Sequence, residues 1–268
     1  MILIEFKFES MQTLHYEGLR ITNESSLKVN DVLVVEAALQ ININNNPYTV
    51  VMRTPGDDLE LIRGLFFAEG IYKKKEKLNI ECIENRKNGF SIINVKIDKD
   101  NLGKGYLNKR TLLSVSSCGI CGKQKLEDII YEGNKLANKM NFDTSKLEDM
   151  FSEMKKQQDT FEISGGSHAA SLYDEDYILL TLKEDIGRHN AVDKVVGHLL
   201  NSNSLNRAKC MLVSGRVSYE IISKAFMAKI PIVVAVSACS TLAVDFAKEF
   251  GICLIGFSRG KKATIYSN

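Results

Sequence analysis

The chain has 268 residues, 44% of them hydrophobic and 25% charged, which is typical of a soluble globular protein with a substantial core. Its 35 basic and 33 acidic residues give a net charge of +2, so the composition excludes a general nucleic-acid-binding protein but leaves room for a local phosphate site. No apolar run approaches the ~18 residues of a membrane span, and the N-terminus lacks the charged leader and apolar run of a signal peptide.

The first part of the chain predicts β-strands interrupted by one helix. Three segments are rich in β-branched residues and bounded by Asn, Pro or Gly: residues 32–39, 48–52 and 90–97. Residues 54–58 provide a helix cap and acidic residues for the first turn, and residues 61–66 form an apolar stripe. Gly70 is a residue at which this helix would end. We therefore expect a mainly β N-terminal domain over residues 1–110.

A Cys-x-x-Cys pair, Cys118 and Cys121, lies between glycines in the middle of the chain. Glycine widens the accessible backbone, which favours a loop that moves its sulfurs over a site that holds an ion rigidly. A helical pattern from Lys123 to about Asn138 places Cys121 near a helix N-terminus, and this position and the nearby lysines both favour the thiolate. We assign residues 111–143 to this loop and the helix that follows it.

The cysteine pair also has a structural interpretation, as half of a zinc site. Such a site needs about four ligands, and the sequence offers neither a second Cys-x-x-Cys pair nor paired histidines, so we predict a reactive thiol and no bound metal. The other cysteines are scattered singly, which is no disulfide framework in a chain of this length and predicts a reducing, cytoplasmic location. They are Cys82, Cys210, Cys239 and Cys253.

Beyond the pair, helices and strands alternate. Apolar spacing predicts helices at 144–157, 189–200, 219–229 and 241–250, and strands at 177–182, 210–213, 232–236, 252–257 and 263–266. This alternation predicts a layered α/β domain over residues 144–268 with a largely parallel sheet. Ligands of such sheets gather beyond the carboxyl ends of the strands, where three turns carry polar or small residues: 214–218, 237–240 and 258–262.

Three polar segments each have two interpretations. The glycine turn Ser164–His168 would either bind an anion through its amides or be a tight turn with a surface histidine, and the second is the commoner case. Residues 184–190 lie at the predicted start of a helix. They either contact a phosphate group of a ligand or cap the helix and form a solvated ion pair. The turn Arg259–Lys262 is either an electrostatic clamp for a polyanion or a solvated hairpin turn.

Several familiar motifs are absent from the sequence. There is no Gly-x-x-x-x-Gly-Lys-Ser/Thr phosphate loop and no Gly-x-Gly-x-x-Gly after a strand. A zinc deaminase would need His-x-Glu followed by Pro-Cys-x-x-Cys. Here His168 is followed by Ala169 and Ala170, Ser117 precedes the cysteine pair, and the two elements occur in reverse order.

Taken together, the segments resemble the formate dehydrogenase accessory sulfurtransferase family, FdhD. The matching blocks are ordered across about residues 50 to 266: Arg53–Asp58, Phe67–Ile71, Ser117–Gly122, Gly165–Ala170, Glu184–Lys194, Ser214–Arg216, Ile230–Val233, Leu242–Asp245 and Gly256–Gly260. Cys239 departs from the pattern, because the family usually has proline at that position.

The resemblance implies a sulfurtransferase that accepts persulfide sulfur from a cysteine desulfurase. It implies delivery of that sulfur to the molybdenum (or tungsten) bis-guanine-dinucleotide cofactor of formate dehydrogenase, which binds as the acceptor. Cys118 would bear the persulfide, and Cys121 would be a helper or second carrier. The family's cofactor-binding segment falls on Phe257, Ser258, Arg259, Gly260, Lys261 and Lys262.

The resemblance also bears on architecture and assembly. The C-terminal half of the family looks like the cytidine deaminase fold without its zinc chemistry, which agrees with the alternating pattern. The fold class expected is therefore α/β (α+β overall), with a mainly β part first and a cytidine-deaminase-like layered domain after it. A homodimer is expected from base rates and from the family.

Two rival classes of function stay open on the sequence. A thiol-disulfide oxidoreductase would use the same cysteine pair to exchange electrons, but would place it after the first strand of a βαβ unit rather than after a mainly β half. A binding chaperone would hold the cofactor without transferring sulfur, and would tolerate Cys118→Ala.

Overall fold

The computed structural model describes residues 11–86, 88–107, 134–136, 142–260 and 262–268. The predicted loop and helix at residues 111–143 therefore lie almost entirely outside the described residues, and Cys118 and Cys121 lie outside them. Residues 134–136 are not helical, because the Leu136 N–H donates to the Phe250 carbonyl oxygen (2.9 Å) instead of to its own turn. The predicted helix thus does not extend through these three residues to Asn138.

The described residues of the N-terminal part form two sheets, one α-helix and two short 3-10 turns, which confirms the prediction of a mainly β part with one helix. Its elements are β1 (Thr13–Ile21), β2 (Ser26–Val34), β3 (Ala37–Ile43), β4 (Asn46–Arg53), α1 (Asp58–Ala68), β5 (Asn79–Asn85) and β6 (Ser91–Lys96). Strands β1 and β2 form an exposed antiparallel hairpin, and the other four pair in the order β4-β3-β6-β5. The prediction of one strand over 32–39 is wrong, because Val35 and Glu36 separate β2 from β3 where the chain leaves the hairpin for the buried sheet.

The C-terminal part is a six-stranded sheet with helices packed on it, as the alternating pattern predicts. Its elements are α2 (Leu147–Lys156), α3 (Asp159–Ser164), β7 (His168–Tyr173), β8 (Leu179–Asp185), α4 (Arg188–Asn201), β9 (Cys210–Val213), α5 (Tyr219–Met227), β10 (Ile232–Ala235), α6 (Thr241–Phe250), β11 (Cys253–Arg259) and β12 (Lys262–Ser267). The strand order is β12-β11-β10-β9-β7-β8.

The prediction of a largely parallel sheet holds only for the three strands β9, β10 and β11. Strand β7 runs antiparallel to both β8 and β9, and β12 runs antiparallel to β11. The connections explain this, since short loops join β7 to β8 and β11 to β12, and only antiparallel neighbours can be joined by a tight turn.

Apolar side chains cover both faces of this sheet, so the domain is layered. One buried cluster joins alternate strand residues such as Leu172, Met211 and Val233 to helices α4, α5 and α6. The opposite face packs residues such as Leu212 and Val234 against α2. A third cluster lies between α1 and the four-stranded sheet. Among the described residues, no helix has the length and apolar character needed to cross a membrane.

Helices α1 and α4 cross with their backbones in contact. A Cβ atom placed on Gly64 would lie 1.9 Å from the Asp193 carbonyl oxygen. A Cβ atom on Gly197 would lie 1.9 Å from the Glu60 carbonyl oxygen. Any larger residue would push the helices apart, so these two glycines fix the N-terminal part against α4.

Buried polar groups beside this crossing connect the N-terminal part to the start of α4. Asp185 and Lys194 form an ion pair at 2.8 Å, and both side chains are 0% exposed. Asp185 Oδ2 also accepts a hydrogen bond from the Thr54 N–H (3.2 Å), and Lys194 Nζ donates to the Thr54 carbonyl oxygen (3.0 Å). We call Thr54, Gly64, Asp185, Lys194 and Gly197 the joint.

Candidate functional site

The three turns predicted to lie beyond the strands meet at one edge of the large sheet. Strands β9, β10 and β11 run parallel, so residues 214–218 and 237–240 follow the carboxyl ends of β9 and β10. The end of β11 from Gly256 onward lies beside them and leads into the third predicted turn, 258–262. Strand β7 runs antiparallel to β9, which brings its first residue, His168, to the same edge. We call these three turns and His168 the strand-end edge.

Backbone hydrogen bonds hold the three turns together. The Val217 N–H donates to the Ala238 carbonyl oxygen, and the Phe257 N–H donates to the Ser237 carbonyl oxygen, each at 3.0 Å. Because each turn is bonded to the next, the side chains along the edge keep a fixed spacing. Adjacent strands are about 4.8 Å apart, so the ends of β9 and β11 are separated by about 10 Å.

The sequence-predicted cofactor segment is a β-hairpin at the β11 end of this edge. Arg259 and Lys262 are paired residues of β11 and β12, and Gly260 takes a positive φ of 56° in the turn between them. Lys261 lies outside the described residues. The solvated-hairpin interpretation is therefore correct as to conformation, and the hairpin stands at the edge where a ligand would bind.

Phe257 and Ser258 show two unusual features in this segment. Phe257 has a φ of 51°, although an aromatic residue rarely adopts the left-handed region, and it is 50% exposed. Ser258 is buried, and its Oγ has no hydrogen-bond partner among the described residues. Strained backbone and unpaired buried polar atoms concentrate at binding sites, so both features favour a ligand here.

A second group of polar side chains lies at the β7–β9 end of the edge. Ser214 Oγ accepts from the Ala169 N–H (2.9 Å) and lies 3.5 Å from His168 Nδ1. A Cβ atom on Gly215 would lie 3.3 Å from His168 Nδ1 and 3.4 Å from Arg188 Cδ, so these side chains surround one backbone position. With the exposed Arg216, we call His168, Arg188, Ser214 and Arg216 the cationic cluster.

The pKa of His168 responds to its burial and to the charges around it. Burial is the largest influence and lowers the pKa of His168 below its ordinary value of 6.5, and the positive charges of Arg188 and Arg216 lower it further. Asp185 opposes them weakly. The imidazole is therefore neutral at neutral pH, and the two guanidinium groups carry the charge of the cluster.

The segment 184–190, which has two interpretations on sequence, contributes to both sites. Asp185 belongs to the joint, where its Oδ1 accepts from the Gly187 N–H (2.8 Å) and from Asn190 Nδ2 (2.9 Å). Arg188 instead faces the strand-end edge, and its buried Nε has no hydrogen-bond partner among the described residues. The cap interpretation is wrong in both parts, because Gly187 at the start of α4 has no side-chain cap hydrogen bond and the ion pair of Asp185 is buried rather than solvated. Arg188 keeps the ligand interpretation.

The glycine turn 164–168 is mainly structural. Gly165 ends α3 in the left-handed conformation, and its N–H donates to the Phe161 carbonyl oxygen (2.7 Å). The Gly166 N–H donates to Ser164 Oγ (3.2 Å), so neither amide is left for an anion. His168 is not a simple surface histidine, however, because the turn delivers it to the cationic cluster.

The four cysteines that the structure describes are poorly suited to nucleophilic chemistry. Burial is the main cause that raises the pKa of each thiol: that of Cys239 to about 11, and those of Cys82, Cys210 and Cys253 above the ordinary value. A thiol with a raised pKa carries little thiolate at neutral pH. Cys239 lies at the strand-end edge, yet it is a packing residue beside Gly256.

The buried ion pairs of α4 were missed by the sequence interpretation. Besides Lys194, the helix carries Asp193, which accepts two hydrogen bonds from Lys224 Nζ (2.7 and 2.8 Å). Burial lowers the pKa of Lys224, but Asp193, Glu220 and Glu69 outweigh it, so the net shift is upward and the ammonium stays charged. The signal was the charged pair inside the otherwise apolar pattern of this helix.

No three His, Cys, Asp or Glu side chains in the described ranges are grouped as metal ligands. Cys118 and Cys121 lie outside those ranges, so the expectation of no bound metal stays a prediction. The same applies to the roles predicted for the two cysteines.

Comparisons with known proteins agree with the resemblance of the motifs. The chain matches the family model described as the FdhD/NarQ family over residues 34–268. A protein of Mycolicibacterium paratuberculosis named "Sulfur carrier protein FdhD" is 39% identical over 246 residues, covering 88% of this chain and 90% of that protein. A protein of the same name from Saccharolobus solfataricus is 37% identical over 258 residues, covering 94% and 95%.

A solved structure has a similar fold. The crystal structure of a protein from Desulfotalea psychrophila, described as a formate dehydrogenase accessory protein, matches with a TM-score of 0.74. The match covers 96% of this chain and 97% of that chain at 21% identity. This likeness shows the shared fold and agrees with the expected α/β class.

Proposed function

Because the chain belongs to the FdhD/NarQ family, we propose that it is a sulfur carrier protein that acts as an accessory to formate dehydrogenase. In this proposal a cysteine desulfurase is the sulfur donor, and the molybdenum or tungsten bis-guanine-dinucleotide cofactor is the acceptor substrate. The protein works in the reducing cytoplasm as a homodimer, and formate dehydrogenase is its client. The names of the relatives and the family match support the carrier role.

Cys118 is proposed to carry the sulfur, with Cys121 as its helper. The Cys118 thiolate attacks the outer sulfur of the desulfurase persulfide, a new S–S bond forms, and the desulfurase thiolate leaves with the bonding electrons. This exchange needs no outside oxidant or reductant. The family match carries this assignment, because the motif of the family falls on the glycine-flanked pair. The raised pKa of the other four thiols agrees with it, since each of them carries little thiolate.

Mass spectrometry after incubation with a cysteine desulfurase and cysteine tests this step. We expect a gain of one sulfur atom on the peptide that contains Cys118, no gain in Cys118→Ala, and full gain in the matched control Cys239→Ala. A gain retained by Cys118→Ala would contradict the assignment. A thiol-disulfide oxidoreductase would cycle between dithiol and disulfide without gaining sulfur.

The client enzyme separates the carrier from a binding chaperone. A cell whose only copy is Cys118→Ala should lack formate dehydrogenase activity although the variant folds, whereas a chaperone would tolerate the change. Cys121→Ala should do less harm if its role is auxiliary. Equal loss in the two single variants would favour a shared disulfide or a two-thiol relay.

The acceptor is proposed to bind at the strand-end edge, with the β11–β12 hairpin in contact with it. The segment 259–262 contains three basic residues, and the exposed Phe257 with its positive φ offers a ring face. GDP is a convenient probe, and its affinity should fall as salt rises because exposed charges are screened. Replacing Arg259 and Lys261 with Ala should weaken binding about tenfold or more per contact if each is charge-assisted. Equal affinities of wild type and double variant would remove the hairpin from the site.

A further inference from the structure

The cationic cluster contains positive charge that no described acid neutralises. Neither Arg188 nor Arg216 forms a salt bridge with another described residue, whereas Arg207 at the opposite edge of the sheet is paired with Asp174 (3.1 Å). Arg188 Nε is buried and donates to no described acceptor. A buried donor without a partner destabilises a folded protein, so such a group calls for an explanation.

The two acids that precede Arg188 in the chain are engaged elsewhere. Asp185 gives both carboxylate oxygens to the joint, where Lys194 neutralises its charge at 2.8 Å. Glu184 accepts hydrogen bonds from the N–H groups of Thr160 (2.8 Å) and Phe161 (2.9 Å), and also from Ser167. Neither carboxylate forms an ion pair with Arg188, so a bound anion would supply the partner that the described residues do not.

The neutral side chains of the cluster are arranged as donors. Ser214 Oγ already accepts from the Ala169 N–H, so its own hydrogen is directed elsewhere, and His168 Nδ1 is the nearest acceptor at 3.5 Å. This arrangement favours the His168 tautomer with its hydrogen on Nε2. The ring then adds one more N–H to those of Arg188 and Arg216.

We propose that His168, Arg188 and Arg216, with Ser214 behind the histidine ring, bind the diphosphate of a nucleotide ligand at the β7–β9 end of the strand-end edge. Guanidinium groups and imidazole N–H donors suit phosphate oxygens, and Arg is the side chain best shaped for them. The place beyond the ends of strands is where sheets of this class bind ligands. The inference rests on the proposed function only for the identity of the nucleotide.

The cluster is a better diphosphate site than the hairpin at the other end of the edge. Arg259 is exposed, and its Nε already donates to the Val236 carbonyl oxygen (3.3 Å). Arg188 is half-buried, where solvent screens its charge less and the donor has no described partner. The backbones of the two ends are about 10 Å apart. We therefore assign the diphosphate to the cluster and another part of the ligand to the hairpin.

Calorimetric titration with inorganic pyrophosphate and with GDP tests the proposal. We expect Arg188→Gln to weaken the binding of both probes at least tenfold, and Arg216→Gln to weaken both by a smaller factor because that side chain is exposed. The matched control Arg207→Gln should bind both probes as wild type does. Arg259→Ala should weaken GDP but leave pyrophosphate unchanged.

Four results would overturn the assignment. The first is that pyrophosphate does not bind to wild type, and the second is that Arg188→Gln and Arg216→Gln both bind the probes as wild type does. The third is that GDP and pyrophosphate bind with equal affinity, and the fourth is that Arg259→Ala weakens the binding of pyrophosphate. The third result would make the cluster a site for a free anion. Arg216 is exposed, so its variant stays informative if Arg188→Gln fails to fold. Failure here leaves the persulfide test of Cys118 untouched, so the two proposals fail separately.

Discussion

The joint and the strand-end edge contain the same kinds of residue but differ in how their charges are paired. In the joint, Asp185 accepts four contacts, from Thr54, Gly187, Asn190 and Lys194, and its charge is balanced at 2.8 Å. At the edge, Arg188 has a buried donor with no described partner. The pairing of charges therefore distinguishes the structural polar site from the proposed ligand site, although their compositions are alike.

The helix start at 185–188 illustrates this difference within a few residues. Asp185 is fully buried and belongs to the joint, while Arg188, three residues on, belongs to the cationic cluster. The joint therefore holds the cluster in place, because it anchors the backbone that carries Arg188. Substitutions in the joint should act on stability, and substitutions at the edge should act on binding.

The largest effect on stability is expected from Asp185→Asn. The change leaves the buried Lys194 ammonium without its counter-charge, and breaking a buried ion pair in this way costs about 3–5 kcal/mol of unfolding free energy. Urea unfolding measures it. Arg216→Gln is the matched control at the edge and should change the unfolding free energy by no more than about 0.5 kcal/mol. Similar losses in the two variants would remove the distinction between the sites.

Gly197→Ala should be the next most destabilising change. The new Cβ would meet the Glu60 carbonyl oxygen at 1.9 Å, and since this is backbone the two helices must separate. We expect a loss at the upper end of the about 1–3 kcal/mol typical of overpacking. Gly18→Ala in the exposed hairpin is the control, because its Cβ would lie 3.7 Å from Val29 Cγ2, an ordinary contact. A Gly197→Ala protein as stable as wild type would show that the helices are not in backbone contact.

The sequence predicts the elements whose side chains follow a clear period. Helices α5 and α6 and strands β9 and β10 appear within two residues of their predicted positions, since each buries one well-defined face or is buried throughout. Strand β7 was missed because small residues such as Ala169, Ala170 and Ser171 give no strand signal, although the strand is buried on both faces. The β1–β2 hairpin was missed because no core imposes an alternation on it.

The candidate site was only partly predictable, for a different reason. The three polar turns follow from the strand pattern, because the ends of parallel strands must meet at one edge. The pairing of Asp185 could not be predicted, since Thr54 lies 131 residues away and no local pattern connects them. Nothing in the sequence therefore distinguishes the role of Arg188 from that of Asp185, and only the structure assigns them to different sites.

The pH dependence of stability should sharpen the description of the edge. Burial, Arg188 and Arg216 lower the pKa of His168 below 6.5, so the unfolded chain binds a proton more readily than the folded protein does. Above pH 6.5 His168 is neutral in both states and does not lower the free energy of unfolding. As the pH falls below 6.5 the unfolded chain takes up the proton more readily, so the free energy of unfolding decreases. In His168→Gln this part of the acid destabilisation should disappear, as measured by urea unfolding across this range. His15→Gln in the exposed hairpin is the control, and equal pH profiles for wild type and His168→Gln would contradict the prediction.

The smallest effect is expected from Cys239→Pro at the centre of the strand-end edge. The Val217 N–H donates to the Ala238 carbonyl oxygen, and the Ser240 N–H donates to the Val217 carbonyl oxygen, each at 3.0 Å. These two bonds form the bridge between Val217 and Cys239, and neither uses the Cys239 N–H. That N–H donates to no described acceptor, and proline therefore removes no hydrogen bond that the structure shows. Because the thiol of Cys239, with its pKa near 11, is proposed to take no part in sulfur transfer, the variant should still gain sulfur on Cys118. We expect a change in unfolding free energy within about 0.5 kcal/mol and unchanged GDP affinity, measured by thermal unfolding and calorimetry. A loss of sulfur transfer with the fold intact would instead make Cys239 part of the transfer route.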